Sequence, residues 1–150
     1  MTSQRTIGCL NGREHLYPVH IYFEDTDFSG LVYHANYLRY MERARSDMLA
    51  CVGIDQRRAF ERGEGVYAVS ELSIRYRRPA RFDDAVTVVS TVERLGAATC
   101  TIHQRVMLAD ETLTDAQVVA AFLSRDGRPK RQPRPWIDAF RALLPEDGQN

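Results

Sequence analysis

One long run of helical periodicity, followed by four runs with the period of a strand, leaves this chain few folds to adopt. Tyr37, Tyr40, Met41, Ala44, Met48 and Cys51 recur at three- and four-residue spacing and form a single apolar stripe. Arg39, Glu42, Arg43, Ser46 and Asp47 fill the opposite side, and Gly53 stands where a C-terminal cap belongs. The spacing predicts an amphipathic helix of about five turns. Asp55, a good N-cap, starts a shorter helix that runs to Gly63.

Beyond Gly65 the period changes. Leu72, Ile74 and Tyr76 alternate with Ser73, Arg75 and Arg77 until Pro79 stops the strand. Residues 86–93, 99–108 and 112–123 give three more strands, the second with Cys100, Ile102, Gln104, Val106 and Leu108 on one side. The breaks at Leu95-Gly96 and at Ala109 to Glu111 are short, so consecutive strands are antiparallel neighbours. Upstream of the helix, Val19 to Phe23 is β-branched and aromatic and predicts a fifth strand over 18–24. A short closing helix over 136–144 follows a basic, Pro-rich segment. The outline is α+β: one long helix laid on a five-stranded antiparallel sheet. Such a sheet keeps an edge and a face to cover, so self-association is expected.

The chain's 150 residues suit one domain, with residues 1–17 a weakly patterned N-terminal extension and 18–145 the folded unit. Twenty basic and twenty acidic residues balance, which argues against a general nucleic-acid binder. No apolar run is long enough to span a membrane, and the first residues lack the apolar core of a secretory signal. A cytoplasmic location is expected. Cys9, Cys51 and Cys100 are widely spaced and imply neither a disulfide framework nor a metal site.

The densest group of functional side chains is the run from Glu24 to Tyr37, which holds Asp25, Asp27, Ser29, Gly30, Tyr33 and His34 ahead of the long helix. A calcium loop would place ligands at Asp25, Asp27 and Ser29 with Gly30 at the turn. Asn36 then stands where a bidentate Glu is needed, and a strand precedes the loop instead of a helix. A purely structural reading makes both Asp residues turn formers and His34 a cap. The third reading is catalytic. Unpaired N–H groups in the first turn of a helix can polarise a carbonyl and stabilise the oxyanion formed on attack. Asp27 would then act as nucleophile or as general base for water. A thiolate leaves without strong acid help, so thioester hydrolysis needs few groups, and few are present.

The run E-D-T-D-x-x-G-x-V-Y-H-A-N-Y, continuing into Met41-Glu42-Arg43-Ala44-Arg45, closely resembles the hotdog-fold acyl-CoA thioesterases of the 4-hydroxybenzoyl-CoA thioesterase type. Within them it is most similar to the bacterial Tol-Pal-associated group. Tyr76 to Ala80, Phe82 to Asp84 and Gly127-Arg128-Pro129 extend the resemblance over roughly residues 18–135.

The resemblance implies a long central helix wrapped by the sheet, no cofactor, and pockets shared between subunits of a homotetramer built as a dimer of dimers. It implies that Asp27 is the catalytic carboxylate and that His34 sits where the thioester carbonyl is polarised. Tyr33 and Phe28 would line the substrate pocket, and Asp25 would support the loop. Phe28-Ser29 and Leu31 stand where relatives commonly carry two small residues and Val, so acyl-chain preference does not transfer. The anionic end of coenzyme A calls for basic partners. Arg75, Arg77, Arg78 and Arg81 form one candidate group, and Arg125, Arg128, Lys130, Arg131 and Arg134 another. The substrate expected is an acyl-CoA. Acyl carrier protein as the carrier, a dehydratase on the same fold, and a non-catalytic acyl-thioester-binding or scaffolding module are the alternatives. The dehydratase's His-Gly-rich helix is missing.

Overall fold

The computed structural model describes residues 5–145. Along the chain run β1 (Cys9–Asn11), β2 (Glu14–His20), a 3-10 turn (Phe23–Asp25), α1 (Asn36–Cys51), α2 (Gln56–Glu61), β3 (Val66–Tyr76), β4 (Ala85–Leu95), β5 (Thr99–Leu108), β6 (Glu111–Leu123) and α3 (Arg134–Arg141). The strands make one antiparallel sheet in the order β1-β2-β4-β5-β6-β3.

The sheet has six strands where five were expected. The addition is β1, which pairs Cys9 with Leu16 and Asn11 with Glu14. Its anchor lies in α1. The Asp47 carboxylate accepts from the Ile7 N–H at 2.7 Å and the Gly8 N–H at 2.9 Å, and meets His15 Nε2 at 2.7 Å. Asp47 is therefore buried, although its place on the helix put it with the polar residues. Gly8 is needed there: a Cβ would lie 2.3 Å from the Leu16 carbonyl oxygen and 2.8 Å from Asp47 Oδ2. The strand expected over 18–24 runs instead over Glu14–His20. Its end follows from Asp25, whose carboxylate accepts from the Tyr22 N–H at 2.8 Å and turns the chain into the 3-10 segment.

The apolar stripe of α1 faces the sheet as its period predicts, with Tyr37, Tyr40, Met41, Ala44 and Met48 buried and Cys51 only half-buried. The N-terminal half of the helix packs with Tyr17, Val19, Val86, Val88 and Val106, and the C-terminal half with Val92, Cys100, Ile102 and Phe140 of α3. Gly53 ends the helix at φ +85°, the left-handed region that a Cβ disfavours. Asp55 caps α2 by accepting from the Arg58 N–H at 3.0 Å. At the open edge of the sheet, β3 stays largely exposed, with Val66, Val69, Leu72 and Tyr76 all on the surface.

Candidate functional site

The loop from Thr26 to Val32 is a closed turn in front of α1. Thr26 and Val32 bridge its base, Asp27 N–H donates to the Leu31 carbonyl at 3.0 Å, and Gly30 supplies φ +81°. Val32 N–H donates to the Ala80 carbonyl at 2.9 Å, and Ala80 N–H donates to the Tyr37 hydroxyl at 2.9 Å. The loop is thereby tied to the segment after β3 and to the first turn of α1.

The two aspartates differ in surroundings. Asp25 is half-buried and saturated: besides Tyr22, its carboxylate accepts from Asn36 Nδ2 at 2.9 Å, and its backbone carbonyl accepts from Tyr33 N–H at 2.9 Å. It clamps the loop to the head of the helix. Burial and then the nearby Asp25 push the Tyr40 hydroxyl pKa far up, which keeps that neighbour neutral. Asp27 is exposed, and one carboxylate oxygen accepts from both the N–H and the hydroxyl of Ser29. Those bonds, the hydroxyl first, hold Asp27 below the ordinary carboxylate value; the charge of His34 adds to the effect.

His34 lies two residues ahead of α1 and is exposed. Its ring sits 4.5 Å from that of Tyr33 and 6.4 Å from that of Tyr76, centroid to centroid. Tyr76, at the end of β3, donates its hydroxyl to the His34 carbonyl at 2.8 Å. Asp27 and Phe28 line an open depression with Phe23, Thr26 and Gly30. Asp27, Phe28, Tyr33 and His34 thus gather at one end of the molecule.

The basic candidates do not all gather there. Arg77 follows β3 at the same end, exposed, 3.9 Å from Asp115 Oδ2. Arg128 and Lys130 lie beyond the far end of β6, where Lys130 Nζ donates to the Glu64 carbonyl. Tyr76 pairs with Thr114 and Val66 with Leu123, so the length of β3 separates the two groups. At about 3.3 Å per residue that is roughly 30 Å within one chain.

Three residues of the site escaped the sequence reading. Ser29 stands in the sequence as a loop residue that departs from the family pattern, Asn36 as a motif position and Tyr76 as a strand residue that opens a later motif, and none of them is assigned a bond within the site. Asn36 could have been found from the turn, since a carboxylate ahead of a helix seeks a donor at its head. The bond from Tyr76 to His34 has no sequence signal, because it spans the fold. His15, Asp47 and Cys51 also place three possible metal donors together. The Asp47 oxygens there already bind β1 and His15, which makes the group a latch for the N-terminal strand.

A sheet wrapped around one long helix, with an acidic loop and a His at the helix head, defines an enzyme of the hotdog fold. The sequence profile of the Thioesterase superfamily matches residues 29–114, and the chain belongs to that superfamily. It is 37% identical to the acyl-CoA thioesterase YbgC of Haemophilus influenzae, over 70% of this chain and 77% of that protein. Against the acyl-CoA thioester hydrolase YbgC of Escherichia coli, identity is 30% over 83% of this chain and 94% of the relative. The crystal structure of a probable thioesterase from Bartonella henselae superposes with a TM-score of 0.76 at 32% identity, covering 80% of this chain and 99% of the other. The profile match takes in Tyr33, His34 and Arg77, and begins just after Asp27.

Proposed function

We propose that the chain hydrolyses acyl-CoA thioesters to the free acid and CoA in the cytoplasm, with Asp27 as the reacting carboxylate. The observation that carries this reading is the exposed Asp27 carboxylate, oriented by Ser29 beside His34 at the head of α1. A thioester carbonyl placed at the helix head meets N–H donors and His34, which take up the negative charge that develops on its oxygen. Asp27 then attacks the carbonyl carbon or takes a proton from the water that does, and the thiolate departs. Related proteins named for acyl-CoA hydrolysis support the substrate class.

The working unit on this reading is a homodimer paired through β3. Antiparallel pairing of two β3 edges sets the Val66 end of one copy beside the Tyr76 end of the other. Arg128 and Lys130 of one copy then approach Asp27 and His34 of the other and hold the nucleotide end of CoA there. A pair of such dimers makes the expected tetramer.

The test is a panel of acyl-CoA and acyl-carrier-protein thioesters with detection of the released thiol. Turnover of acyl-CoA that is lost in Asp27→Asn supports the proposal. Turnover of carrier-protein thioesters alone, or none at all by a folded protein, refutes it.

A further inference from the structure

Between the C-terminal half of α1 and strands β3 and β5 lies a cleft of about 150 Å³. Met48, Leu49, Ile102 and Phe140 give apolar walls, and Glu42 and Arg45 are the charged residues of the lining. Arg45 is half-buried, and its Nη1 donates to Gln104 Oε1 at 2.9 Å. Gln104 is fully buried and held in turn, donating to the Met41 carbonyl at 3.0 Å and the Ser90 hydroxyl at 2.9 Å. This chain of bonds fixes the guanidinium at the cleft wall.

The position is costly for a cation. Burial disfavours the Arg45 charge, and Glu42 offsets only part of that. The ion pairs among the described residues do not include Arg45. A guanidinium carries five donors in a planar fork that matches a carboxylate, and Gln104 engages one nitrogen of it. A partly desolvated cation at the wall of a cleft is stabilised by an anion that enters the same cleft.

We infer that Arg45 is a specificity-determining residue and that the cleft takes an acyl group ending in a carboxylate. The inference rests on the proposed thioester hydrolysis and names the class of acyl group it serves. At 1.5 Å per residue, Arg45 stands about 13 Å along α1 from Asn36, with its side chain leaning back toward the helix head. On this inference the acyl tail of a thioester held at the head runs along the helix toward the guanidinium.

The experiment compares glutaryl-CoA with hexanoyl-CoA, a chain of similar length with an apolar tip, in wild type, Arg45→Lys and Arg45→Met. Wild type is expected to favour glutaryl-CoA in kcat/KM by about ten- to hundredfold, the worth of a charge-assisted pair. Arg45→Met is expected to lose that preference, read as the glutaryl-to-hexanoyl ratio of kcat/KM whatever the absolute turnover. Arg45→Lys, which retains the charge without the fork, should fall between them and serves alone if the Met variant does not fold. Equal ratios in all three proteins, or a wild-type preference for hexanoyl-CoA, overturn the inference. Calorimetric binding of the non-hydrolysable thioether analogues of both substrates repeats the comparison without turnover. Failure of hydrolysis as such is then read separately from failure of selection.

Discussion

The Tyr76 hydroxyl donates to the His34 carbonyl at 2.8 Å, so the last residue of the exposed edge strand holds the residue that heads α1. Tyr76 also contacts the Tyr37 ring, with centroids 5.6 Å apart. Tyr76 is a positioning residue on this geometry. Tyr76→Phe keeps the ring and removes the bond, so folding should change by no more than about 1 kcal/mol. Turnover should drop about tenfold with KM nearly unchanged, because the helix head is then less well aimed at the developing charge. Steady-state kinetics beside a urea melt checks both. A rise in KM at constant kcat would assign Tyr76 to binding.

Asp27 and Asp25 should separate cleanly on mutation to Asn. Asp27→Asn changes an exposed side chain, so the variant should fold and still bind acyl-CoA. Its kcat should fall by about 10²- to 10⁴-fold. Asp25→Asn weakens the clamp on Tyr22 N–H and Asn36, and should cost about 1–2 kcal/mol in stability with a smaller loss of turnover. Measuring kcat with circular dichroism on both variants decides the matter. A larger kcat loss in Asp25→Asn would move the chemistry to that carboxylate.

The Ser29 bonds lower the Asp27 pKa, and if Asp27 is the reacting carboxylate this sets the acid side of the activity profile. The charged carboxylate is the competent form, so activity should persist as pH falls through the ordinary value of 3.8 and fade only below it. Ser29→Ala removes the hydroxyl donor, raises the Asp27 pKa and should shift the acid limb to higher pH. Profiles of kcat for wild type and variant over the range where both stay folded give the shift. An unmoved limb, or one displaced to lower pH, would separate Asp27 from the titration.

Arg128 and Lys130 lie at the far end of β3 from Asp27 within one chain. If pairing through β3 completes the site, charge reversal at both positions raises KM and leaves kcat nearly unchanged. Co-refolding that doubly reversed variant with Asp27→Asn should then restore one intact site in each mixed dimer. Recovery near half the wild-type kcat/KM per mixed dimer is expected in a stoichiometric refolding assay run at substrate well below the raised KM. No recovery, in mixtures shown by sedimentation to contain dimers, would place CoA within a single subunit. Val69→Lys on the same edge should give a monomer without activity.

The buried His15–Asp47 pair governs the N-terminal strand. Burial alone would raise the Asp47 pKa, but the bonds from Ile7 N–H, His15 and Gly8 N–H outweigh it and hold it low. The unfolded carboxylate titrates near 3.9, so this contribution is fully present above that pH and is lost as pH falls toward the lowered folded value. Asp47→Ala leaves the part-buried Ile7 and Gly8 N–H groups and the buried His15 without their acceptor, and should cost about 3 kcal/mol by urea denaturation. Hydrogen exchange should rise first at residues 9–11. An unchanged melt would show that β1 is held by its ladder alone.

The helix and strands β4 to β6 were legible because their burial is periodic, whereas β3 shows alternation in sequence but is exposed along most of its length. The stripe from Tyr37 to Met48 and the alternation from Cys100 to Val106 each report one buried face. The loop from Asp25 to His34 was legible through its density of chemistry. β1 was not, since Cys9–Asn11 has no pattern of its own and is ordered by Asp47, far along the chain. The strand expected to reach residue 24 ended early because the Asp25 carboxylate turns back onto Tyr22. Nor could spacing show that two Arg-rich groups lie at opposite ends of β6. That separation is a property of strand order, which local pattern does not encode.

The exposed edge of the sheet also has a history during synthesis. β3 leaves the ribosome before β4, β5 and β6, yet its partner within the chain is β6, the last strand to be made. At about 5–20 residues per second the nascent chain carries Val66, Val69 and Leu72 for some seconds with neither side of that strand paired. One side then closes on β6 within the finished chain. The other stays open unless a second copy pairs with it, so on the proposed pairing the hazardous interval is set by translation speed and by how many sister chains are nearby.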